Sequence, residues 1–277
     1  MKIILSRKGF DSGYGGYPSP IIETNGTKEM LSLPIPFEDD NRNFKELCYK
    51  EQNYFKLIQD LSNGKFKKEK CHLDPDIRKE AIDRKDDWRG LFGQSDSAYG
   101  HLRNQNINEN DVFLFFGWFR EASYVGGKLQ YKKGAADLQV IFGYLQVGKL
   151  YVSPSIDNLP DYAKTHPHAV YKNKNNAIYE AKKLFTEKDE IPGYGPLKFN
   201  ENLILTQDGQ TRSRWKKSLP FVTQESNIAI SYHSKKAIKE DYFQSARIGQ
   251  EFVVKKDAEG KVENWAIDLI KDYHIKN

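Results

Sequence analysis

The chain has 277 residues, a net charge of +5, 38% apolar residues and two cysteines. That length suits one large domain or two modest ones, and with plentiful aromatics it excludes disorder over most of the chain. No apolar run approaches the roughly 20 residues a membrane-spanning helix needs, and Cys48 and Cys71 lack zinc-ribbon spacing, so no membrane partner is expected and a reducing cytoplasm is the default compartment.

In chain order, Met1–Ser6 is too short for a signal peptide, is cut off by Arg7-Lys8, and reads as a first strand. Residues 9–20 hold four glycines and two prolines and read as a loop. Ile21 to Ile35, turning at Asn25-Gly26, reads as a hairpin. Apolar residues at helical spacing predict a helix over 44–61 that stops at Asn63-Gly64, and a second over 77–85. Residues 88–94 read as a loop and 95–103 as a short helix. Strands are expected at 112–119, at 138–147 with an extension to 152, and at 176–181. Beyond Gly193 short apolar pieces alternate with polar loops at 203–206, 215–221, 228–232, 251–254 and 265–270, with a charged hairpin tip at 255–261. The expected fold is α+β: a mixed, mostly antiparallel, β-barrel-like core with helices packed on the outside. One compact domain over 1–277 is expected, with lobes at 1–105, 106–196 and 197–277.

Several segments carry chemistry in their residue types. Arg7, Lys8, Asp11 and Ser12 sit in or beside the glycine-rich loop, where free N–H groups form an anion-binding nest and Asp11 anchors a substrate. The loop is neither a Walker motif nor a dinucleotide fingerprint. In His72-Leu73-Asp74 the two polar side chains share one face of an extended segment, which suits proton transfer with the aspartate fixing the imidazole. A helix cap explains Asp74-Pro75 equally well. Trp88, Arg89 and Gln94 offer a stacking surface and polar contacts, as do Trp118 and Arg120 after the kink permitted by Gly117; core packing is the alternative for both tryptophans. His166 and His168, separated by one proline, point the same way, which suits a substrate contact. A metal there would need a third ligand from His72, His101, His233 or Asp74, all distant in sequence, so no metal is expected, and no cofactor is named by any motif. Gln250 and Glu251 enter a strand and suit the hydrogen-bonding edge of a base or ribose hydroxyls; strand-edge solubility is the plainer role. The signatures of serine hydrolases, zincins and zinc deaminases are missing from the sequence.

The runs Lys8-Gly9-Phe10-Asp11-Ser12, Pro18-Ser19-Pro20, Leu33-Pro34-Ile35-Pro36, His72-Leu73-Asp74-Pro75-Asp76, Trp88-Arg89-Gly90-Leu91-Phe92-Gly93-Gln94, Phe115-Phe116-Gly117-Trp118-Phe119-Arg120 and Gly249-Gln250-Glu251-Phe252-Val253, in this order, resemble the third nucleotide-modification-associated domain family. The likeness runs from near Lys2 to about Val254. It departs at Gly13, which follows Ser12, and at Ile248, which separates Arg247 from Gly249. The resemblance implies a role in systems that make, process or recognise modified bases in DNA, often linked to phage defence. It directs attention to Asp11, Ser12, His72, Asp74, Arg89, Trp118, Arg120 and Gln250. A looser likeness to PUA-like barrels covers 108–116 and 141–147 and implies a reader that flips a base into an aromatic pocket.

Two functions follow as expectations. One is an enzyme acting on a nucleotide or a DNA base, with His72 as acid/base, Asp74 as its orienter, Asp11 as anchor and Arg120 as phosphate contact. The other is a non-catalytic reader of modified DNA bases. Both make a nucleotide or DNA the partner. A protein-docking module is a third, less specific reading.

Overall fold

The apolar run that starts at Val112 is the spine of the fold. The computed structural model describes residues 1–171, 173–186, 188–222, 230–247, 249–255 and 259–275. Among them ten strands share one sheet. They are β1 (Ile3–Arg7), β2 (Ser19–Thr24), β3 (Thr27–Met30), β4 (Leu91–Ser95), β5 (Val112–Val125), β6 (Lys128–Tyr131), β7 (Leu138–Val152), β8 (Asn176–Ala181), β9 (Tyr194–Pro196) and β10 (Glu251–Val254). The continuous path is β10-β1-β5-β7-β8-β4. β1 and β2 both run parallel to β5, along its first and second halves; the other pairings are antiparallel. Strands from all three stretches 1–105, 106–196 and 197–277 therefore share this sheet.

The fold is mixed α+β, mostly antiparallel, with few helices. The expected barrel is corrected: the end strands β4 and β10 do not pair, so the sheet curls without closing. Side chains meet across that seam instead. Gln94 Nε2 on β4 donates to Glu251 Oε1 on β10 at 2.6 Å, Ser6 Oγ donates to the same oxygen at 3.0 Å, and Lys8 Nζ lies 3.1 Å from it. Glu251 is 1% exposed, so its expected role at a soluble strand edge gives way to a buried ion pair. Four polar groups fill a gap that a backbone ladder would otherwise close.

The helices α1 (Tyr54–Leu61), α2 (Asp96–Asn104), α3 (Pro167–Val170) and α4 (Lys261–Tyr273) are short. The helix expected over 44–61 survives only in α1. Its first half is a tight Cys48–Tyr49/Gln52–Asn53 pairing in which Lys50 takes φ +55°, and Asn53 caps α1 through the Lys56 N–H. The stretch 77–85 holds one 3-10 turn, Lys79–Ala81. Here Asp76 exchanges both backbone hydrogen bonds with Leu91, which holds the chain extended against β4 and overrides the helical spacing. Residues 91–94, expected in a loop, and Ser95, expected to open a helix, form that edge strand; 265–270 proves to be part of α4. In the expected piece 228–232, Ile228 and Ala229 lie outside the described residues, as do 256–258 of the expected tip.

The buried Lys8–Glu251 pair gives a direct stability test. Breaking such a pair strands one charge and costs about 3–5 kcal/mol, whereas apolar residues of similar volume at both positions are often neutral. Glu251→Ala should lower the urea unfolding free energy by about that amount, and the Lys8→Met/Glu251→Leu pair should recover most of it. A single-variant loss below about 1 kcal/mol would remove the seam from the account.

Candidate functional site

One cavity of about 450 Å3 opens beside the seam. Seven groups of residues line it: Arg7, Lys8 and Gly9 at the end of β1; Asp11 and Tyr14 in the glycine-rich loop; Ile35, Phe37 and Asp40; His72 and Asp74; Gln94 and Ser95 on β4; α3 with Tyr171; and, facing these, Arg247, Gly249 and Gln250. The volume lies in the range of small-molecule pockets.

Short backbone pairings aim the central side chains. Ile35–Pro36 pairs with Cys71–His72, which turns His72 toward the cavity. The Asp76–Leu91 exchange then brings Asp74 under β4, where its Oδ1 accepts the Gly93 N–H at 2.7 Å. His168 lies flat against Gly93. A Cβ there would sit 2.1 Å from His168 Cδ2, so this approach requires glycine. The pattern Gly-Gln in the motif 88–94 is thus a packing requirement as well as a source of polar groups.

The three histidines are held differently. His72 Nδ1 donates to Asp40 Oδ2 at 2.7 Å, so Asp40, and not Asp74, orients this ring. His168 Nδ1 is 2.6 Å from Asn176 Oδ1, and Asn176 Nδ2 donates to the His168 carbonyl at 2.7 Å. The Nε2 atoms of His72 and His168 face each other at 3.3 Å. His166 stands behind them, outside the cavity. Its Nδ1 accepts the His168 backbone N–H, and its Nε2 lies 3.4 Å from Asp74 Oδ1.

Burial alone would raise the Asp74 carboxyl. The approach of His166 and the charges of Lys8 and the two histidines overcome it and hold Asp74 well below the usual carboxylate range. Burial pushes His168 down to about 4, against the pull of Asp74, so its imidazole is neutral near pH 7.

The remaining expected residues divide. Asp11 lines the cavity, but its Oδ1 accepts the Gly13 and Tyr14 N–H groups at 2.7 and 2.6 Å. The loop's anion nest is therefore occupied by its own aspartate. Ser12 accepts from Arg212 at 3.4 Å, outside the cavity lining. Arg7 donates to the Ala246 and Arg247 carbonyls, and burial lowers its pKa. Gln94 and Gln250 face the cavity and touch at 3.3 Å. Glu251 lies behind Gln94 and fixes it.

Arg89 pairs with Glu180 at 3.4 Å, and Trp88 packs on Tyr194 under Arg84; neither lines this cavity. Trp118 and Arg120 both donate to Asp137, with Arg212 stacked on the indole at 4.0 Å, again away from the cavity. Sequence reasoning missed the aromatic side chains that do line it. Tyr14, Phe37 and Tyr171 are 54%, 39% and 42% exposed at its edge. It also missed Asp40 and Asn176. The run Glu38-Asp39-Asp40 and the asparagine opening β8 were the available signals.

Gly93→Ala tests the packing of His168. The strand should stay paired while the ring is expelled, so the downfield Nδ1–H resonance of the His168–Asn176 hydrogen bond should disappear from the NMR spectrum. An unchanged resonance in the folded variant would contradict the contact.

Comparisons with known proteins speak at the level of family. No curated protein matches the chain, and no solved structure matches it, so the PUA-like likeness gains no support. The profile of nucleotide modification associated domain 3 matches residues 2–255, a span that includes every residue of the cavity lining. The chain belongs to the nucleotide modification associated domain 3 family.

Proposed function

We propose that the chain is an enzyme that acts on a nucleotide, or on a base turned out of DNA, in the cavity beside the seam, as part of a nucleic-acid modification or phage-defence system. The observation that carries this reading is the meeting of His72, Asp74 and His168 with an exposed aromatic edge in one open cavity. Aromatic side chains take a nucleobase face because every base has a π-surface, worth about 1–3 kcal/mol per base. Tyr14, Phe37 and Tyr171 supply such surfaces in place of Trp118. The Gln250 amide nitrogen and the cavity-facing backbone suit a base edge. Arg247, whose side chain makes no hydrogen bond or ion pair among the described residues, suits a phosphate. A cavity of this size takes a nucleotide; a duplex base would have to leave its stack first.

The exposed aromatic edge also favours a second reading, a reader that binds a modified base without turnover. Mass spectrometry of nucleosides separates the two. DNA and nucleotide pools from cells making the wild-type protein should differ from those of cells making His72→Ala in at least one nucleoside. Identical profiles would contradict the enzyme. Binding of nucleoside monophosphates, followed by tyrosine fluorescence, should weaken at least about fivefold in Tyr14→Ala and in Tyr171→Ala. Unaltered binding in both would place the base elsewhere.

A further inference from the structure

We propose that His72 Nε2, His168 Nε2 and the Asp74 carboxylate bind one divalent first-row transition-metal ion, zinc(II) or iron(II), on the wall of the cavity. The argument starts from hydrogen positions. Asp40 accepts from His72 Nδ1, so that nitrogen carries the proton. The Asn176 amide is oriented by its own Nδ2 donating to the His168 carbonyl, so its oxygen faces His168 Nδ1, which carries a proton as well. With Nδ1 engaged as donor in each ring, the two Nε2 atoms are the ones left to act as ligands, and they face each other at 3.3 Å. Two acceptors at that separation repel unless a positive centre lies between them.

A metal ion meets that requirement with the right spacing. Ligand nitrogens about 2.0–2.1 Å from a zinc ion stand about 3.3–3.4 Å apart at a tetrahedral angle. One ligand atom from each of His72, Asp74 and His168 lies within 4.8 Å of the other two. Asp74 Oδ1 is engaged by Gly93 and faces His166, while Oδ2 makes no hydrogen bond among the described residues, leaving it available.

The surroundings match what metal ligands need. Ligating histidines donate their second nitrogen to a carboxylate or carbonyl oxygen, which fixes the ring and raises its basicity. Asp40 and Asn176 do this here, and the Gly93 N–H holds the carboxylate. Three protein ligands leave coordination positions open, as in catalytic rather than structural sites. Two histidines and one carboxylate with open positions suit zinc(II) or non-haem iron(II). The open positions would face the cavity, between Gln94 and the aromatic edge. Sequence distance separates this set: His72 and Asp74 lie far from His168, and folding replaces His166, the apparent partner of His168, with two residues from another segment.

The inference does not depend on the nucleotide reading. Elemental analysis of protein purified without chelators, followed by cobalt(II), zinc(II) and iron(II) titration of the stripped protein, tests it without any activity. The wild type should bind one ion per chain, and cobalt(II) should give visible d–d absorption. His72→Ala, whose side chain lies at the cavity surface, should fold by circular dichroism and lose at least about 100-fold in affinity. Asp40→Asn should keep the stoichiometry and lose about 10- to 100-fold. His101→Ala, outside the cavity, should bind like the wild type. A wild type that takes up no ion at micromolar concentration, as expected if a proton is shared between the rings, overturns the proposal. So does equal affinity in folded His72→Ala. A bound ion together with unchanged nucleoside profiles would keep the metal site and discard the enzyme reading.

Discussion

Where β4 and β10 face each other, side chains do the work of a backbone ladder, and the cavity exists because of it. A curled sheet with two unpaired ends must close, cover its edges or fill the gap between them. This chain fills it with the buried carboxylate of Glu251, which takes hydrogen bonds from Ser6 and Gln94 and the charge of Lys8. The gap keeps β4 accessible on one side. Asp74 then reaches the Gly93 N–H, and His168 lies against the missing Cβ. A closed barrel would have sealed these residues into its wall.

Much of the sheet was legible in the sequence because strand residues announce themselves locally. β8 falls where the apolar run predicts it, and β5 begins at Val112 as expected. The helices were less legible. Residues 44–61 and 77–85 carry helical spacing, yet partners distant in sequence engage the backbone at the start of each: Leu91 pairs with Asp76, and the Glu69 carbonyl takes the Phe44 N–H. Periodicity records which faces are buried and says nothing of a competing backbone partner.

The site was legible in its residue types and not in its pairings. His72, Asp74, His168, Asp11, Gln94 and Gln250 do line one cavity. Their relations differ from the local ones that sequence proximity implies. Asp74 is two residues from His72 yet engages Gly93 and His166, while Asp40, far along the chain, orients His72. Trp118 and Arg120 have the composition of a base-stacking site but spend their donors on Asp137. The aromatic side chains at the cavity belong to Tyr14, Phe37 and Tyr171, which no motif marked.

Family membership brings the chain to nucleotide modification, and the place we propose for that role is the cavity, with a polar, histidine-rich wall opposite exposed aromatic side chains. Backbone NMR titration with deoxynucleoside monophosphates tests this placement most directly. The account predicts that amide shifts concentrate at Tyr14, Gly93, Gln94, Tyr171 and Gln250. Shifts confined to the neighbourhood of Trp118 and Arg89, with those cavity positions unmoved, would contradict it.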